Sequence, residues 1–262
     1  MSGSTGFRTA TALDFARLSH GIYGDQTGGR PPANVGTWSI ANSSPDTSFA
    51  GFKGALYQRG NGRGVDIIAT ICGTEIGPRD LITDAGFDGV GIGLVISPAT
   101  WMWGKIFLRN QANNAIALAE RAKSLAAAGG HRRAFITGHS LGGGLAQIAA
   151  AYSGLRAVTF NPAAATGAFS GIAAQYRRGG GSVVNFQVEG DPINQTSGVG
   201  DFLGDRILLG RHERPGAMDC HSIEKTVQQM SIGCFQGVGG IDPFRLIGRD
   251  GLRIAPNSSA PA

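Results

Sequence analysis

The sequence has 262 residues, a length that fits one α/β domain over 1–262 and does not require a second domain. With 42% hydrophobic residues, 16% charged residues and 43 glycines without a G-x-y period, the composition is typical of a globular protein and excludes disordered and collagen-like chains. The net charge of +5 comes from scattered basic residues, which favours ordinary solvated charge over nucleic-acid binding and leaves a mild attraction to anionic lipid surfaces open.

The three cysteines are too few for a disulfide framework and lack the spacing of a metal site, so they predict no metal centre. Cys220 and Cys234 could pair in an oxidising compartment. The first residues show no basic stretch followed by an apolar core, and no run of 18 apolar residues occurs. We therefore expect no signal peptide and no membrane span, in a protein that is cytoplasmic as synthesised or secreted by a signal-independent route.

The chain is predicted to open with a helix, because Thr11 and Asp14 form a capping-box pattern and apolar residues follow at helical spacing. Residues 24–46, rich in Gly, Pro, Asn and Ser, are predicted to form a long loop, and residues 251–262 a loose tail. The other predicted elements are a buried strand over 65–72, a helix over 110–128, a strand over 134–137, a helix over 141–152, strands over 156–160, 182–188 and 207–209, and a helix over 222–230. This alternation predicts an α/β fold with a mostly parallel central sheet and helices on both faces.

A G-x-S-x-G sequence, residues 138–142, lies between a predicted strand and a predicted helix. In a sharp strand-to-helix turn of this kind the serine is strained, its hydroxyl stands above the sheet edge, and the flanking glycines avoid collisions. A P-loop would need Gly-Lys after the glycines, but Gly144 is followed by Leu145, and the spacing of a dinucleotide fingerprint is also absent. Ser140 is therefore predicted to be a catalytic nucleophile, whereas His139 is expected to point away from the turn and to have a packing role.

A serine nucleophile needs a base, and in a site of this kind the acid and then the histidine follow the serine along the chain. His221, in a predicted loop before the last helix, is favoured as the base over His212 at the end of the last strand. Asp191 is the favoured acid because it follows the strand 182–188 at the carboxyl edge of the sheet. The competing carboxylates are Asp201, Asp205, Asp219 and, less favoured, Glu189.

Attack of a serine nucleophile on a carbonyl group forms a tetrahedral intermediate, whose oxyanion needs hydrogen-bond donors aimed at it. The backbone N–H of Leu141, directly after the nucleophile, is predicted to be one donor. The segment 72–75 follows a predicted strand, and Thr74 is predicted to supply the second donor through its backbone N–H and its hydroxyl. A plain strand-ending turn is the alternative for this segment.

Together these features resemble the class 3 lipases, a branch of the α/β-hydrolase fold. The resemblance rests on G-H-S-L-G-G at 138–143, on the segments 71–75 and 79–84, on 157–162 and on the turn 190–192, and it spans about 65–221. The first helix with Tyr23 is also similar to the N-terminal helix of that family. One departure is Cys72, where many members carry Arg before the Gly-Thr pair.

The resemblance implies hydrolysis of a carboxylic ester in a lipid by a lipase or phospholipase A that forms an acyl-enzyme without a cofactor. It implies that Asp80 and Asp84 brace the oxyanion loop, and that a lid lies near residues 86–104, for which a buried core segment is the alternative. Small lipases of this kind also occur among bacterial toxins injected into competitors, which would fit the expected lack of a signal peptide.

Two other functions stay open: a short-chain esterase or cutinase-like hydrolase, and an inactive hydrolase fold used as a binding module. The expected partner is a lipid or ester substrate, with transient contact to a membrane surface and no nucleic acid. The oligomeric state is not predicted.

Overall fold

The computed structural model describes residues 9–24, 31–41, 46–47, 52–61, 64–73, 98–128, 132–166, 171–195, 201–210 and 216–256. Its strands are β1 (Asn34–Val35), β2 (Trp38–Ile40), β3 (Asp46–Thr47), β4 (Lys53–Asn61), β5 (Gly64–Ile71), β6 (Arg132–His139), β7 (Arg156–Phe160), β8 (Val183–Val188), β9 (Asp205–Leu209) and β10 (Leu252–Ile254). Its α-helices are α1 (Ala12–Gly21), α2 (Pro98–Ala127), α3 (Leu141–Ser153), α4 (Ile172–Gly179), α5 (Ala217–His221) and α6 (Ile223–Ser231). Short 3-10 helices span Ile193–Gln195, Val238–Gly240 and Pro243–Leu246.

The strands form one mixed sheet in the order β1-β2-β4-β5-β6-β7-β8-β9-β10, and β3 pairs with β4. The six strands from β5 to β10 are parallel, whereas the strands from β1 to β4 extend the sheet in antiparallel pairing. The predicted α/β architecture is confirmed, with a parallel half and an antiparallel edge. The carboxyl ends of β6, β7 and β8 therefore meet at one edge of the sheet, where open α/β sheets bind their ligands.

Apolar side chains alternate across the central strands and form one hydrophobic core on each face of the sheet. In β7, Val158 and Phe160 face the core that α1 and α6 cover, whereas Ala157 faces the core that α2, α3 and α4 cover. Phe160 stacks on Phe186 of the neighbouring strand, with ring centroids 5.5 Å apart. Helices on both faces are thus required to remove both sides of the parallel strands from water.

Helix α1 begins with the predicted capping box, in which Thr11 and Asp14 bond to each other's backbone N–H groups. The Asp14 carboxylate also accepts a hydrogen bond of 2.9 Å from Arg59 of β4, which ties the helix to the antiparallel edge. Tyr23 follows the end of this helix, and its carbonyl oxygen accepts a hydrogen bond of 2.8 Å from the Lys53 ammonium. These contacts fix the position of Tyr23 beside the sheet.

Two segments predicted to lack regular structure contribute strands. The predicted loop over 24–46 contains β1 and β2, which pair in a hairpin whose turn includes Gly36 at φ +57°, a conformation that favours glycine. The predicted loose tail over 251–262 contains β10, which pairs with β9 because Leu252 and Ile254 pack against the core. Residues 257–262 of that tail lie outside the described residues.

Helix α2 begins at Pro98 rather than near the predicted start at residue 110. Proline fits the first helical turn, where its missing N–H has no helical partner. Residues 99–104 carry no charge, so the start of the helix has no charged face from which to recognise it. Residues 98–104 of the expected lid are therefore helical, and residues 86–97 lie outside the described part of the chain. Strand β4 and helices α4 and α5 were not predicted at all.

Cys72, Cys220 and Cys234 are all buried and none of them is in a disulfide, so the pairing of Cys220 with Cys234 does not occur in this structure. Within the described part of the chain, no helix combines the length and the apolar character needed to cross a membrane. Among the same residues, no group of three or more His, Cys, Asp or Glu side chains is arranged to hold a metal ion.

An ion pair between a buried carboxylate and a partly exposed arginine joins the amino ends of β5 and β6, at the edge of the sheet away from Ser140. Asp66 is fully buried, and its carboxylate accepts two hydrogen bonds from Arg133, at 2.7 and 3.0 Å. Burial raises the pKa of Asp66 above its ordinary value, although Arg133 opposes that shift. The folded protein therefore binds a proton at Asp66 more readily than the unfolded chain does. The charged carboxylate lowers the free energy of unfolding at high pH, and this loss becomes smaller as the pH falls through the pKa of Asp66.

Replacing Arg133 with Met should destabilise the protein by about 2–3 kcal/mol at pH 8, below the roughly 3–5 kcal/mol typical of fully buried pairs, because the Arg133 side chain is 41% exposed. At pH 5 the loss should be smaller, since the unpaired carboxylate can take up a proton. Urea unfolding at both pH values measures the difference. Arg132→Met, at the exposed neighbouring position, is the matched control, and an equal loss at both pH values would contradict the prediction.

Candidate active site

Ser140 occupies the predicted sharp corner between β6 and α3. Its backbone has φ +57° and ψ −128°, a conformation that a non-glycine residue adopts only under strain. The surrounding backbone holds it there: the N–H of Ser140 donates to the Phe160 carbonyl at 3.2 Å, and its own carbonyl accepts from the N–H groups of Gly144 and Ala163 at 3.1 and 3.0 Å. The side chain is left to project above the carboxyl edge of the sheet.

The glycines on either side of Ser140 allow two backbone segments to come into direct contact. A β-carbon at Gly138 would collide with the carbonyl of Gly142 at the start of α3. A β-carbon at Gly142 would collide with the carbonyl group of Ile71, the last residue of β5, and would lie 2.7 Å from the carbonyl oxygen of Cys72. The G-x-S-x-G spacing therefore follows from the close approach of strand, helix and neighbouring strand.

The structure brings the three predicted side chains together in one hydrogen-bonded chain. The Ser140 hydroxyl lies 2.9 Å from Nε2 of His221, and Nδ1 of His221 lies 3.0 and 3.1 Å from the two carboxylate oxygens of Asp191. A carboxylate can only accept, so Nδ1 carries the proton and Nε2 accepts from the serine hydroxyl. This is the tautomer in which an imidazole can remove the serine proton.

Asp191 follows β8 through a turn in which Gly190 adopts φ +82°. Its backbone N–H donates to the Val188 carbonyl at 3.2 Å, and its Oδ1 also accepts from the N–H of Ile193 at 2.9 Å. The carboxylate is fully buried, and its oxygens have donors there in the Ile193 N–H and the His221 ring, as a buried polar group requires.

His221 is the last residue of the short helix α5, not part of a loop as predicted. Ser222 then caps α6 by accepting a hydrogen bond from the N–H of Lys225. His221 thus lies at the corner between two helices, and only 7% of it is exposed. A serine cap directly after a histidine marks a helix start but gives no sign of the helix that precedes it.

The competing carboxylates have other surroundings. Asp219 pairs with the Lys225 ammonium at 2.6 Å, and Glu189 pairs with the Arg253 guanidinium at 2.6 Å. Asp205 accepts a hydrogen bond of 2.8 Å from the N–H of Gly248, and Asp201 is exposed. The other histidine, His212, lies outside the described residues.

Of the two predicted oxyanion donors, one can be located. Leu141 is the first residue of α3, where a backbone N–H has no acceptor within the helix, so it is free of helical pairing beside the nucleophile. Thr74 lies outside the described residues, as do Asp80 and Asp84. Gly73, directly before Thr74, lies beside Ser140. A β-carbon at Gly73 would lie 3.4 Å from the β-carbon of Ser140 and 2.9 Å from the carbonyl oxygen of His139.

His139 does not simply pack, as the sequence suggested, but makes two hydrogen bonds in the interior. Its Nδ1 lies 2.9 Å from the Tyr23 hydroxyl, and its Nε2 lies 2.7 Å from the carbonyl oxygen of His221. Burial lowers the pKa of His139 well below its usual range, and the adjacent His221 lowers it further. His139 is therefore neutral, next to a second imidazole whose ring centroid is 4.7 Å away.

Sequence reasoning did not find Tyr23 or Asn161 as parts of this site. Asn161 follows β7 at φ +41° and is buried, and its amide donates to the Cys220 carbonyl at 2.8 Å. The available signal was positional, since a polar residue at the end of a parallel strand lies at the carboxyl edge of the sheet.

Comparison with protein-family models gives a match to a phospholipase-like family, the Tle-like phospholipase domain, over residues 107–230. This segment is just under half of the chain and contains Ser140, Asp191 and His221. A search of curated proteins finds no match.

Solved structures of lipases have a similar fold. Lipase II from Rhizopus niveus aligns with a TM-score of 0.52 at 14% sequence identity, covering 75% of this chain and 78% of that chain. A triacylglycerol lipase whose catalytic centre is described as a serine protease triad aligns with a TM-score of 0.50 at 17% identity, covering 79% and 84%. At these identities the likeness concerns the fold. The sheet with helices on both faces and the lipase neighbours together show that this chain has a lipase-like α/β-hydrolase fold, and its residues 107–230 are similar to a phospholipase-like family.

Proposed function

We propose that this protein hydrolyses acyl esters of phospholipids through an acyl-enzyme formed on Ser140. The observation that carries the proposal is the hydrogen-bonded chain from the Ser140 hydroxyl through His221 to the buried Asp191, with contacts of 2.9 and 3.0 Å. A nucleophile, a base and a group that orients the base are the parts that acyl transfer requires.

In the proposed first half-reaction, Nε2 of His221 removes the hydroxyl proton as the Ser140 oxygen attacks the ester carbonyl. The N–H of Leu141 and, as predicted, Thr74 would stabilise the oxyanion of the tetrahedral intermediate. Collapse of this intermediate breaks the bond to the leaving alkoxide, which receives the proton from Nε2 and departs as an alcohol. The acyl group stays on Ser140.

In the second half-reaction, water takes the place of the alcohol. His221 removes a proton from the water, the resulting hydroxide attacks the acyl carbonyl, and Nε2 then returns the proton to the Ser140 oxygen. A free fatty acid leaves and the enzyme is restored. Asp191 stabilises the imidazolium that forms in both halves and keeps its proton on Nδ1.

A lipid substrate is supported by the match to a phospholipase-like family model, whose segment contains all three residues of the proposed triad. The net charge of +5 is compatible with contact to an anionic membrane surface. The family-model match favours a phospholipid over a short soluble ester, and the hydrogen-bonded set of Ser140, His221 and Asp191 argues against a binding module without activity.

An alkyl fluorophosphonate probe should label the wild-type protein and should not label Ser140→Ala, because the probe reacts only with an activated serine. Fluorescence after gel electrophoresis measures labelling. Ser231→Ala, which removes an exposed serine on α6, is the control and should label like the wild type. Labelling of Ser140→Ala at the wild-type rate would remove Ser140 from the nucleophile role.

Replacing Asp191 with Asn should lower kcat by a factor on the order of 10,000, because the amide favours the wrong tautomer of His221. Steady-state hydrolysis of p-nitrophenyl butyrate measures the loss. Glu189→Gln, two residues earlier on the same turn, is the matched control, since Glu189 pairs with Arg253 instead of His221. Full activity of Asp191→Asn would show that another carboxylate serves His221.

Incubation with mixed phosphatidylcholine and phosphatidylglycerol vesicles should release a fatty acid and a lysophospholipid in equal amounts. Mass spectrometry of the lipids measures both products, and Ser140→Ala should release neither. Rapid hydrolysis of p-nitrophenyl butyrate without any cleavage of the vesicles would instead support the short-chain esterase.

A further inference from the structure

The short helix α5 is held at its carboxyl end by two buried side chains. The last carbonyl groups of a helix have no N–H partner within the helix. Here the successive carbonyl groups of Cys220 and His221 accept hydrogen bonds from side chains at the edge of the sheet. His139, at the end of β6, lies with Nε2 2.7 Å from the His221 carbonyl. Asn161, after β7, donates from Nδ2 to the Cys220 carbonyl at 2.8 Å.

We propose that His139 and Asn161 are positioning residues that hold the backbone of His221 so that its imidazole stays within reach of Ser140, and that Tyr23 fixes the tautomer in which His139 can do this. This inference rests on the proposed function of Ser140 and His221.

The need for such contacts follows from the size of α5, which has only five residues and is too short to be stable by itself. A shift of the Cys220 and His221 backbone would move the imidazole away from the Ser140 hydroxyl, and a displacement of about 1 Å can slow a reaction by about 100-fold. His139 ends β6 and Asn161 follows β7. Their hydrogen bonds therefore connect the backbone at His221 to the same parallel sheet whose strand β6 leads into Ser140.

Asn161 has a backbone conformation that glycine would adopt at lower cost, because its φ is +41°. The side chain accounts for an asparagine at this position. While Nδ2 donates to Cys220, Oδ1 accepts from the N–H of Val188 at 2.8 Å, at the end of the strand that leads to Asp191. One buried amide therefore links the backbone that carries the base to the backbone that carries the acid.

The tautomer of His139 follows from its two partners. The His221 carbonyl can only accept, so Nε2 of His139 must carry the proton, and Nδ1 of the neutral ring must then accept. The Tyr23 hydroxyl, 2.9 Å from Nδ1, is the donor that satisfies it. If the proton moved to Nδ1, the lone pair on Nε2 would face the His221 carbonyl and repel it.

Tyr23→Phe and Asn161→Gly test the proposal, and Tyr57→Phe is the matched control. Tyr57 is buried, whereas Tyr23 is partly buried, and the Tyr57 hydroxyl likewise makes a hydrogen bond, which it donates to the Pro32 carbonyl, but Tyr57 lies on β4 away from the site. The probe is an alkyl fluorophosphonate, because its maximal inactivation rate and its half-saturating concentration can be determined separately. Thermal unfolding of each variant shows whether the fold is kept.

Both variants should lower the maximal inactivation rate by about 10- to 100-fold, as expected for a misplaced base, with little change in the half-saturating concentration. Tyr57→Phe should react at the wild-type rate. Wild-type rates in both Tyr23→Phe and Asn161→Gly, with labelling still dependent on Ser140, would overturn the positioning roles alone. Labelling that does not depend on Ser140 would instead overturn the proposed function.

Nitrogen-15 NMR of the histidine rings gives a readout that loss of packing would not produce. In the wild type, His139 should show a protonated Nε2 and an unprotonated Nδ1 near neutral pH. Tyr23→Phe should shift this ring toward a mixture of tautomers even if its unfolding temperature is unchanged. A protonated Nδ1 on His139 in the wild type would contradict the assigned direction of the hydrogen bonds.

Discussion

The corner between β6 and α3 holds Ser140 at φ +57°, and the other parts of the site are arranged around this strained residue. The corner exists because Gly138 and Gly142 let the start of α3 lie directly against its own strand and against the end of β5. A strained backbone persists only where its surroundings over-determine it. Here the Ser140 N–H donates to the Phe160 carbonyl, and the N–H groups of Gly144 and Ala163 donate to the Ser140 carbonyl. These hydrogen bonds fix the backbone from which the hydroxyl projects.

The parallel pairing of β6, β7 and β8 places other residues of the site beside Ser140. Because β6, β7 and β8 end at the same edge, Ser140, Asn161 and Asp191 occupy neighbouring positions without any long-range adjustment. His221 ends the short helix α5, which does not directly follow a strand of the sheet. The position of His221 relative to the sheet must therefore be fixed by other contacts. The buried polar contacts from His139 and Asn161 meet this need, since an unpaired polar group in that interior would be costly.

Local sequence signals predicted the parts of the fold that depend on neighbouring residues. Glycine spacing predicted the sharp strand-to-helix turn at 138–142, and capping chemistry predicted the start of α1. An apolar run predicted the limits of β7. Strand β2 and the edge strand β10 were missed because these short strands are ordered by partners distant in the chain, since β2 pairs with β4 and β10 pairs with β9. For the same reason the hydrogen bonds of His139 were missed, since Tyr23 is 116 residues away and the His221 carbonyl is 82 residues away.

The central claim is that Ser140 presents an activated hydroxyl between His221 and the amino end of α3. A crystal structure of the protein after reaction with a fluorophosphonate tests it most directly. The account predicts a phosphonyl group bonded to the Ser140 Oγ, with one phosphonyl oxygen within hydrogen-bond distance of the Leu141 N–H and Nε2 of His221 still beside Oγ. An adduct on another residue, or a phosphonyl oxygen directed away from Leu141, would contradict it.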